Sequence, residues 1–245
     1  MKISVAMACY NSAAYIEDAI KSIVDQTHSD WQLSIVDDGS TDESLAVMKE
    51  CIKRFKIKKK VKIAKHIENF GYGRTLRDAI AQSSGELVAI VDSDDALADK
   101  DAFKIVIEAH TKHPKASMTY SNYIHCNKEL EDKKDCPTTQ IEGNYLESLL
   151  FCNAIRISHL KVFKRKLYDM TEGVNPNIRR TVDKDLVLKL EEVGKLIHID
   201  KSLYYFRNHP QQLGYTFPRH EAAEIKRKIL IDARKRREAV HENIC

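Results

Sequence analysis

Between residues 87 and 95 the chain reads LVAIVDSDD, five apolar residues running into three aspartates within four positions. In extended backbone Asp92 and Asp94 fall on one side. Two close carboxylates repel unless a proton or a cation neutralises them. Oxygen-rich sites suit Mg2+ or Mn2+, and Mg2+ typically uses one or two carboxylates together with substrate phosphates. The chemistry implied is a divalent cation holding a diphosphate. The competing use of these acids is to cap the helix that follows, a role open to Asp95 and Asp99.

Three further clusters could serve the same ligand. VDDGSTDE, at 36–43, puts a turn-forming Gly39 among acids able to accept hydrogen bonds from a base or a ribose; an Asx turn with a helix cap is the alternative. CYNS, at 9–12, offers the aromatic face of Tyr10 and the amide of Asn11. ENFGYGRTLRDA, at 68–79, carries a GxG before a helix, where phosphate is attracted, with Arg74 and Arg77 to add charge; a glycine turn with solvated arginines is the alternative.

The elements that must position these clusters follow from hydrophobic periodicity. KISVAMA, WQLSIVDD, KVKIAKH and GELVAIVDSDD read as strands. Helical spacing fills the gaps: Ile16, Ala19, Ile20, Ile23 and Val24 share a face, then TDESLAVMKECIKRF with Thr41 or Asp42 as N-cap, GRTLRDAIAQSS, and DKDAFKIVIEAHTKH stopped by Pro114. Four βα pairs in 113 residues predict a doubly wound, mainly parallel sheet with helices on both faces. Ligands bind such sheets beyond the carboxyl ends of the strands, which is where CYNS, DDGSTDE and DSDD lie.

The second half is less regular. ASMTYSNYIH reads as a strand or hairpin arm, CNKELEDKKDCPTTQIEG as a loop, NYLESLLF as a short helix and LKVFKRKLYD as a strand entering a turn. DKDLVLKLEEV reads as a helix ended by Gly194, and KLIHIDKSLYYFRNH as two short strands. The tail forms a basic amphipathic helix with Ala222, Ile225, Ile229 and Ala233 on one face. The expected division is 1–98 for the nucleotide-binding half, 99–215 for the acceptor-binding and catalytic half of the same domain, and 216–245 for the tail.

Composition narrows the class. Net charge is +4, of which +3 falls from Arg219 onward, so the excess is local and does not mark a nucleic-acid binder. The tail is expected either to pack on the body or on a second subunit, or to lie on an anionic membrane surface. No apolar run approaches the ~20 residues of a membrane-spanning helix, and Asn11 and Ser12 cut the N-terminal apolar stretch short of a signal core. A cytoplasmic protein, peripheral at most to the inner face of the membrane, is expected. The six cysteines form no CxxC pair and are expected as thiols, a Cys126–Cys136 disulfide being the alternative.

Taken in order, YN, VDDGSTD, NxGxGxxLR and GExxxxVDSDD resemble the family 2 glycosyltransferases of the GT-A fold, over about the first 100 residues. The segment NFGYGRTLRDAI is particularly similar to the branch containing dolichyl-phosphate sugar synthases. The resemblance implies a nucleotide-sugar donor, a glycan or lipid-linked acceptor and a Mn2+ or Mg2+ cofactor. By similarity Tyr10 and Asp38 should meet the base, and Asn11, Gly71, Arg74, Arg77, Asp92, Ser93 and Arg207 should line the rest of the donor site. Asp94 or Asp95 should ligate the metal, with His209 from the closing YYFRNH element. TVDKDL is similar to the acceptor-side segment, usually Glu-Asp-x-Asp-Leu, which makes Asp183 the base of an inverting transfer; Val182 stands where Glu is common. A nucleotidyltransferase and a non-catalytic nucleotide-binding module are the rival readings.

Overall fold

The structure is a computed structural model and describes residues 1–151 and 157–242. Its first half alternates as the periodicity requires: β1 (Ile3–Cys9), α1 (Ile16–Val24), β2 (Trp31–Asp37), α2 (Ser44–Arg54), β3 (Val61–Lys65), α3 (Tyr72–Gln82), β4 (Leu87–Ile90), β5 (Ala96–Leu97) and α4 (Ala102–Lys112). There follow β6 (Ala116–Cys126), β7 (Lys134–Cys136), α5 (Tyr145–Phe151), β8 (Lys161–Lys164), α6 (Arg165–Tyr168), α7 (Val182–Val193), β9 (Lys195–Arg207), α8 (Leu213–Thr216) and α9 (Arg219–Glu242).

One sheet runs β3-β2-β1-β4-β8-β6-β9-β5, with β7 on the edge of β6. The β3-β2-β1-β4 half is parallel; β8 is antiparallel to both β4 and β6, and β9 is parallel to β6. Side chains alternate across the sheet. Ile3, Val5 and Met7 of β1 therefore meet α1, α2 and α4 on one face, while Ala6 and Ala8 meet α3 and α7 on the other. The sheet is thus covered on both faces, as a parallel sheet must be.

Three local expectations change. KLIHIDKSLYYFRNH forms one strand, β9, not two. Its pairing with β6 steps from Ser121↔Ile199 to Asn122↔Ser202, leaving Asp200 and Lys201 as a bulge that reads in sequence as a turn. The N-cap position of α2 is Glu43 rather than Thr41 or Asp42, although Asp42 Oδ1 still accepts the Ser44 N–H at 3.0 Å. The predicted loop 126–143 contains the short strand β7. Cys9, Cys51, Cys126 and Cys136 are free thiols, so no Cys126–Cys136 bridge forms; Cys152 and Cys245 lie outside the described residues. In α9, Ile229 and Ala233 are buried and Arg236 and Arg237 pair with Glu192 and Glu191 of α7, so the apolar face of the tail packs on the body. Among the described residues no helix is long and apolar enough to cross a membrane.

Candidate active site

The strand order reverses between β1, which continues to β2, and β4 on its other side. At that point the loops leaving β1 and β4 meet, and the hydroxyls of Ser12 and Ser93 stand 2.8 Å apart. Ser93 is thereby buried behind the crevice. Tyr10 is exposed beside it, and Asn11, in the left-handed conformation at φ 49°, accepts the Thr41 N–H through Oδ1 at 2.9 Å. The turns after β1 and β2 are thus tied together, with the ring of Tyr10 left free.

Asp38 follows β2 and is only 2% exposed. Its Oδ1 accepts the Phe70 N–H at 3.0 Å and lies 2.7 Å from His66 Nδ1; its Oδ2 accepts the Gly71 N–H at 2.8 Å. Three of about four acceptor positions are filled, which leaves room for one further donor. Asp38 therefore builds the 66–71 loop. Gly71 sits at φ 94°, a conformation that favours glycine, and the Arg179 side chain packs over it. Arg74 pairs with Asp78 at 2.8 Å. Arg77 lines a separate cleft with Arg165, Tyr168 and Glu172.

The three aspartates after β4 take different environments. Asp92 Oδ1 accepts the Tyr72 hydroxyl at 2.7 Å, and its backbone N–H donates to the Tyr204 hydroxyl at 3.0 Å. Burial, followed by the charge of Asp94, pushes the Asp92 carboxyl up to about 6. Asp95 is buried, accepts the Arg207 backbone N–H at 2.8 Å, and is driven well above the carboxylate range by burial and by Asp94 and Asp92. Asp94 stays partly open, with Oδ2 2.9 Å from His209 Nε2. That bond, more than any other cause, raises the His209 imidazole above its ordinary value. One oxygen each of Asp92 and Asp95 and a ring nitrogen of His159 lie within 4.8 Å of one another. Hard oxygen donors whose mutual repulsion stands unrelieved, with a histidine at either side, fit a divalent cation.

Arg207 has a task other than the expected phosphate contact. It is 1% exposed; Nε donates to the Asp94 carbonyl at 2.6 Å, Nη1 to the Lys128 carbonyl, Nη2 to Asp18 at 2.9 Å, and the guanidinium lies over Tyr15. With its donors so engaged it positions the backbone of the aspartate loop from behind.

Asp183 opens the first turn of α7, its side chain 42% exposed. Its Oδ2 lies 3.5 Å from the ammonium of Lys161, a residue of β8 that is 1% exposed. Partial burial would push the Asp183 carboxyl up, but the charges of Lys161 and Lys184 and the nearby His159 outweigh it and hold the group below its ordinary range. His159 stacks on Tyr204 with ring centroids 4.6 Å apart and lies 3.8 Å from Asp92. Burial first, then Lys161, keeps its imidazole neutral. Lys161, His159, Tyr72, Tyr204 and His66 are site residues that the sequence reading missed. Lys161 left a signal: in LKVF it occupies the same strand phase as the buried Phe163.

The crevice thus joins the carboxyl ends of β1, β2 and β4 to the start of α7, with an exposed aromatic ring, a cluster of acids and a separate ionised carboxylate. Residues 4–170 match the family model described as Glycosyl transferase family 2. The chain is 29% identical over 205 residues to chondroitin synthase of Escherichia coli, which covers 82% of this chain and 28% of that protein. It is 28% identical over 205 residues to hyaluronan synthase of Pasteurella multocida, covering 82% of this chain and 20% of that protein. The chain therefore spans only between a fifth and just over a quarter of these relatives. In fold it is similar to S. aureus TarS 1–349 in complex with UDP-GlcNAc, with TM-score 0.75 at 21% identity, covering 94% of this chain and 65% of that one. It is also similar to the mannosyltransferase PcManGT from Pyrobaculum calidifontis in complex with GDP-Man and Mn2+, with TM-score 0.65 at 18% identity, covering 87% and 58%.

Proposed function

The chain belongs to glycosyl transferase family 2, and from that premise we propose that it moves a sugar from a UDP-sugar to an acceptor hydroxyl with inversion, in the synthesis of a surface polysaccharide or other glycoconjugate. One observation carries this reading. The aspartates after β4 and the isolated Asp183 converge on one crevice, with Lys161 holding Asp183 ionised. The nucleotides bound in the TarS and PcManGT structures support a nucleoside-diphosphate donor.

The Tyr10 ring takes the face of the base, and the remaining acceptor position of Asp38 takes a ring N–H of uracil. Asp92 lies at the ribose and diphosphate. The aspartates after β4 would hold Mn2+ or Mg2+, Asp92 and Asp95 beside His159 and Asp94 beside His209; when bound, the ion would neutralise charge growing on the leaving diphosphate. Asp183 accepts the proton of the acceptor hydroxyl as that oxygen attacks the anomeric carbon. The bond to the diphosphate breaks on the opposite face, and its electron pair leaves with the nucleotide. A positioned base of this kind contributes about 10²–10⁴-fold.

A panel of UDP-, dTDP- and GDP-sugars, with and without Mn2+, tests the reading by thermal shift and by release of nucleoside diphosphate. UDP-sugars with Mn2+ should give the largest shift and release UDP. Asp183→Asn should keep the shift and lose transfer. Binding without any donor turnover would make the chain a binding module, and pyrophosphate release from a nucleoside triphosphate would make it a nucleotidyltransferase.

A further inference from the structure

Around Asp183 the chain gathers more positive charge than its own acids answer. Lys184 is the next residue of α7, Arg180 precedes the cap residue Thr181, and Lys226 comes from α9. All three are half-buried, and among the described residues none has a side-chain hydrogen bond or ion pair. Burial first, then the charges of Lys226, Arg180 and Lys161, push the Lys184 ammonium down against the pull of Asp183. The other acids of this region are taken: Asp185 and Glu172 by Lys189, Glu191 by Arg237, Glu192 by Arg236 and Glu224 by Lys228. Asp183 remains, and it already answers Lys161.

Half-buried cations that share a single carboxylate are costly, and the start of α7 adds the positive end of a helix to them. An anion relieves all of these at once. The Arg180 guanidinium stands beside Gly214, both Nη atoms lying 3.7 Å from where a Cβ would be, an ordinary contact distance. None of the three cations stands on the elements that carry Tyr10, Asp38 or Asp92. Arg179, by contrast, lies over Gly71 and belongs to the donor side.

We propose that Arg180, Lys184 and Lys226 form a subsite for an anionic group on the acceptor, a carboxylate or a phosphate lying next to the hydroxyl that Asp183 deprotonates. The proposal rests on the reading of Asp183 as the base, and it makes the acceptor an acidic or phosphorylated glycan.

The test is calorimetric titration of the full chain saturated with UDP and Mn2+, so that the donor site is filled. The probes are methyl β-glucuronide, methyl β-glucoside and methyl β-glucoside 6-phosphate. One anionic probe should bind at least about tenfold more tightly than the neutral one, the equivalent of a single charge-assisted contact. Which of the two does so separates carboxylate from phosphate. The double variant Arg180→Met, Lys184→Met should bind all three alike and keep its affinity for UDP, and Lys226→Met alone should weaken the preference several-fold. Equal binding of the three probes by the wild type, or no binding of any, overturns the proposal. So does a tenfold loss of UDP affinity in the double variant, which would assign these cations to the donor diphosphate. Failure of the glycosyl-transfer reading shows separately, as absence of UDP binding; the three probes titrated onto the nucleotide-free chain then decide the subsite by the same criterion.

Discussion

The ammonium of Lys161 stands 3.5 Å from the carboxylate of Asp183, one group at the start of β8 and the other in the first turn of α7. A lysine buried in a strand is expensive unless an opposite charge answers it, so the pair fixes where α7 begins relative to the sheet. It also sets a pH. The proposed base acts while ionised, and Asp183 is held below its ordinary range by Lys161, Lys184 and His159 against partial burial. Tyr72, Tyr145 and Asp92 face the same group and oppose its ionisation or are raised by it. Removing Lys161 raises the Asp183 pKa, so the acid limb of kcat moves to higher pH. For Lys161→Met we expect a shift of about one unit, measured at saturating donor and acceptor, with Lys161→Arg restoring most of it. An unmoved limb would leave Lys161 a purely structural residue.

Asp38 yields a stability prediction. Its carboxylate accepts two backbone N–H groups and faces His66, all from one loop. Hydrogen bonds to charged groups contribute ~1.5–3 kcal/mol each and are not additive. Asp38→Ala should therefore destabilise the chain by about 2–4 kcal/mol in urea denaturation. UDP affinity should fall with it, because the loop carries Gly71. Asp38→Asn keeps one carbonyl acceptor and should lie between. If both variants melt with the wild type, the loop is not held by this residue.

The parallel half of the sheet was legible because β1, β2 and β3 are each followed by an amphipathic helix and lie side by side in chain order, with β4 crossing to the other side of β1. Acids at the strand ends then had to converge, and Asp92, Asp94 and Asp38 do. Legibility ended where long-range register decides. Lys161 shows as a charge in the buried phase of LKVF, but that it meets Asp183 depends on β8 lying antiparallel to β4, with Ile90 opposite Lys161. The environments that distinguish Asp94 from Asp95 were likewise not legible in DSDD. They depend on β9, whose Arg207 N–H meets Asp95 while His209 meets Asp94. β5 and β7 are too short, at two and three residues, to have any period.

His110, on the buried face of α4, supplies an acid-stability prediction distant from the catalytic groups. Its Nε2 lies 3.2 Å from the Val162 carbonyl and its Nδ1 has no partner. Burial depresses its pKa from the ordinary value to about 4. Between ~6.5 and about 4 the unfolded chain is protonated here while the folded chain is not, so stability falls as pH falls through that window. The loss is complete below the folded value and amounts to ~3 kcal/mol at most. In His110→Gln this part of the acid dependence should vanish. The difference in unfolding free energy between the two proteins, measured from pH 7 to 4, isolates it from the aspartates, which both share. A difference that does not change with pH would mean that His110 titrates alike folded and unfolded.

Two glycines separate close packing from mere adjacency. A Cβ on Gly73, in the first turn of α3, would lie 2.3 Å from the Ile178 carbonyl oxygen and 2.6 Å from that of Asn175. Both are backbone atoms of the loop that leads into Arg180 and Asp183, so Gly73→Ala must push that loop away. Overpacking of this kind costs about 1–3 kcal/mol, and a displacement near 1 Å at the base costs on the order of 100-fold in rate. Gly73→Ala should thus lose turnover out of proportion to its stability while UDP affinity changes little. On Gly214 a Cβ would meet only the Arg180 guanidinium, at ordinary contact distance, and Gly214→Ala should stay within about 0.5 kcal/mol of the wild type. Melting temperatures and kcat for the pair provide the check. If Gly73→Ala proves as mild as Gly214→Ala, α3 does not set the position of the loop, and the placement of Asp183 rests on Lys161 alone.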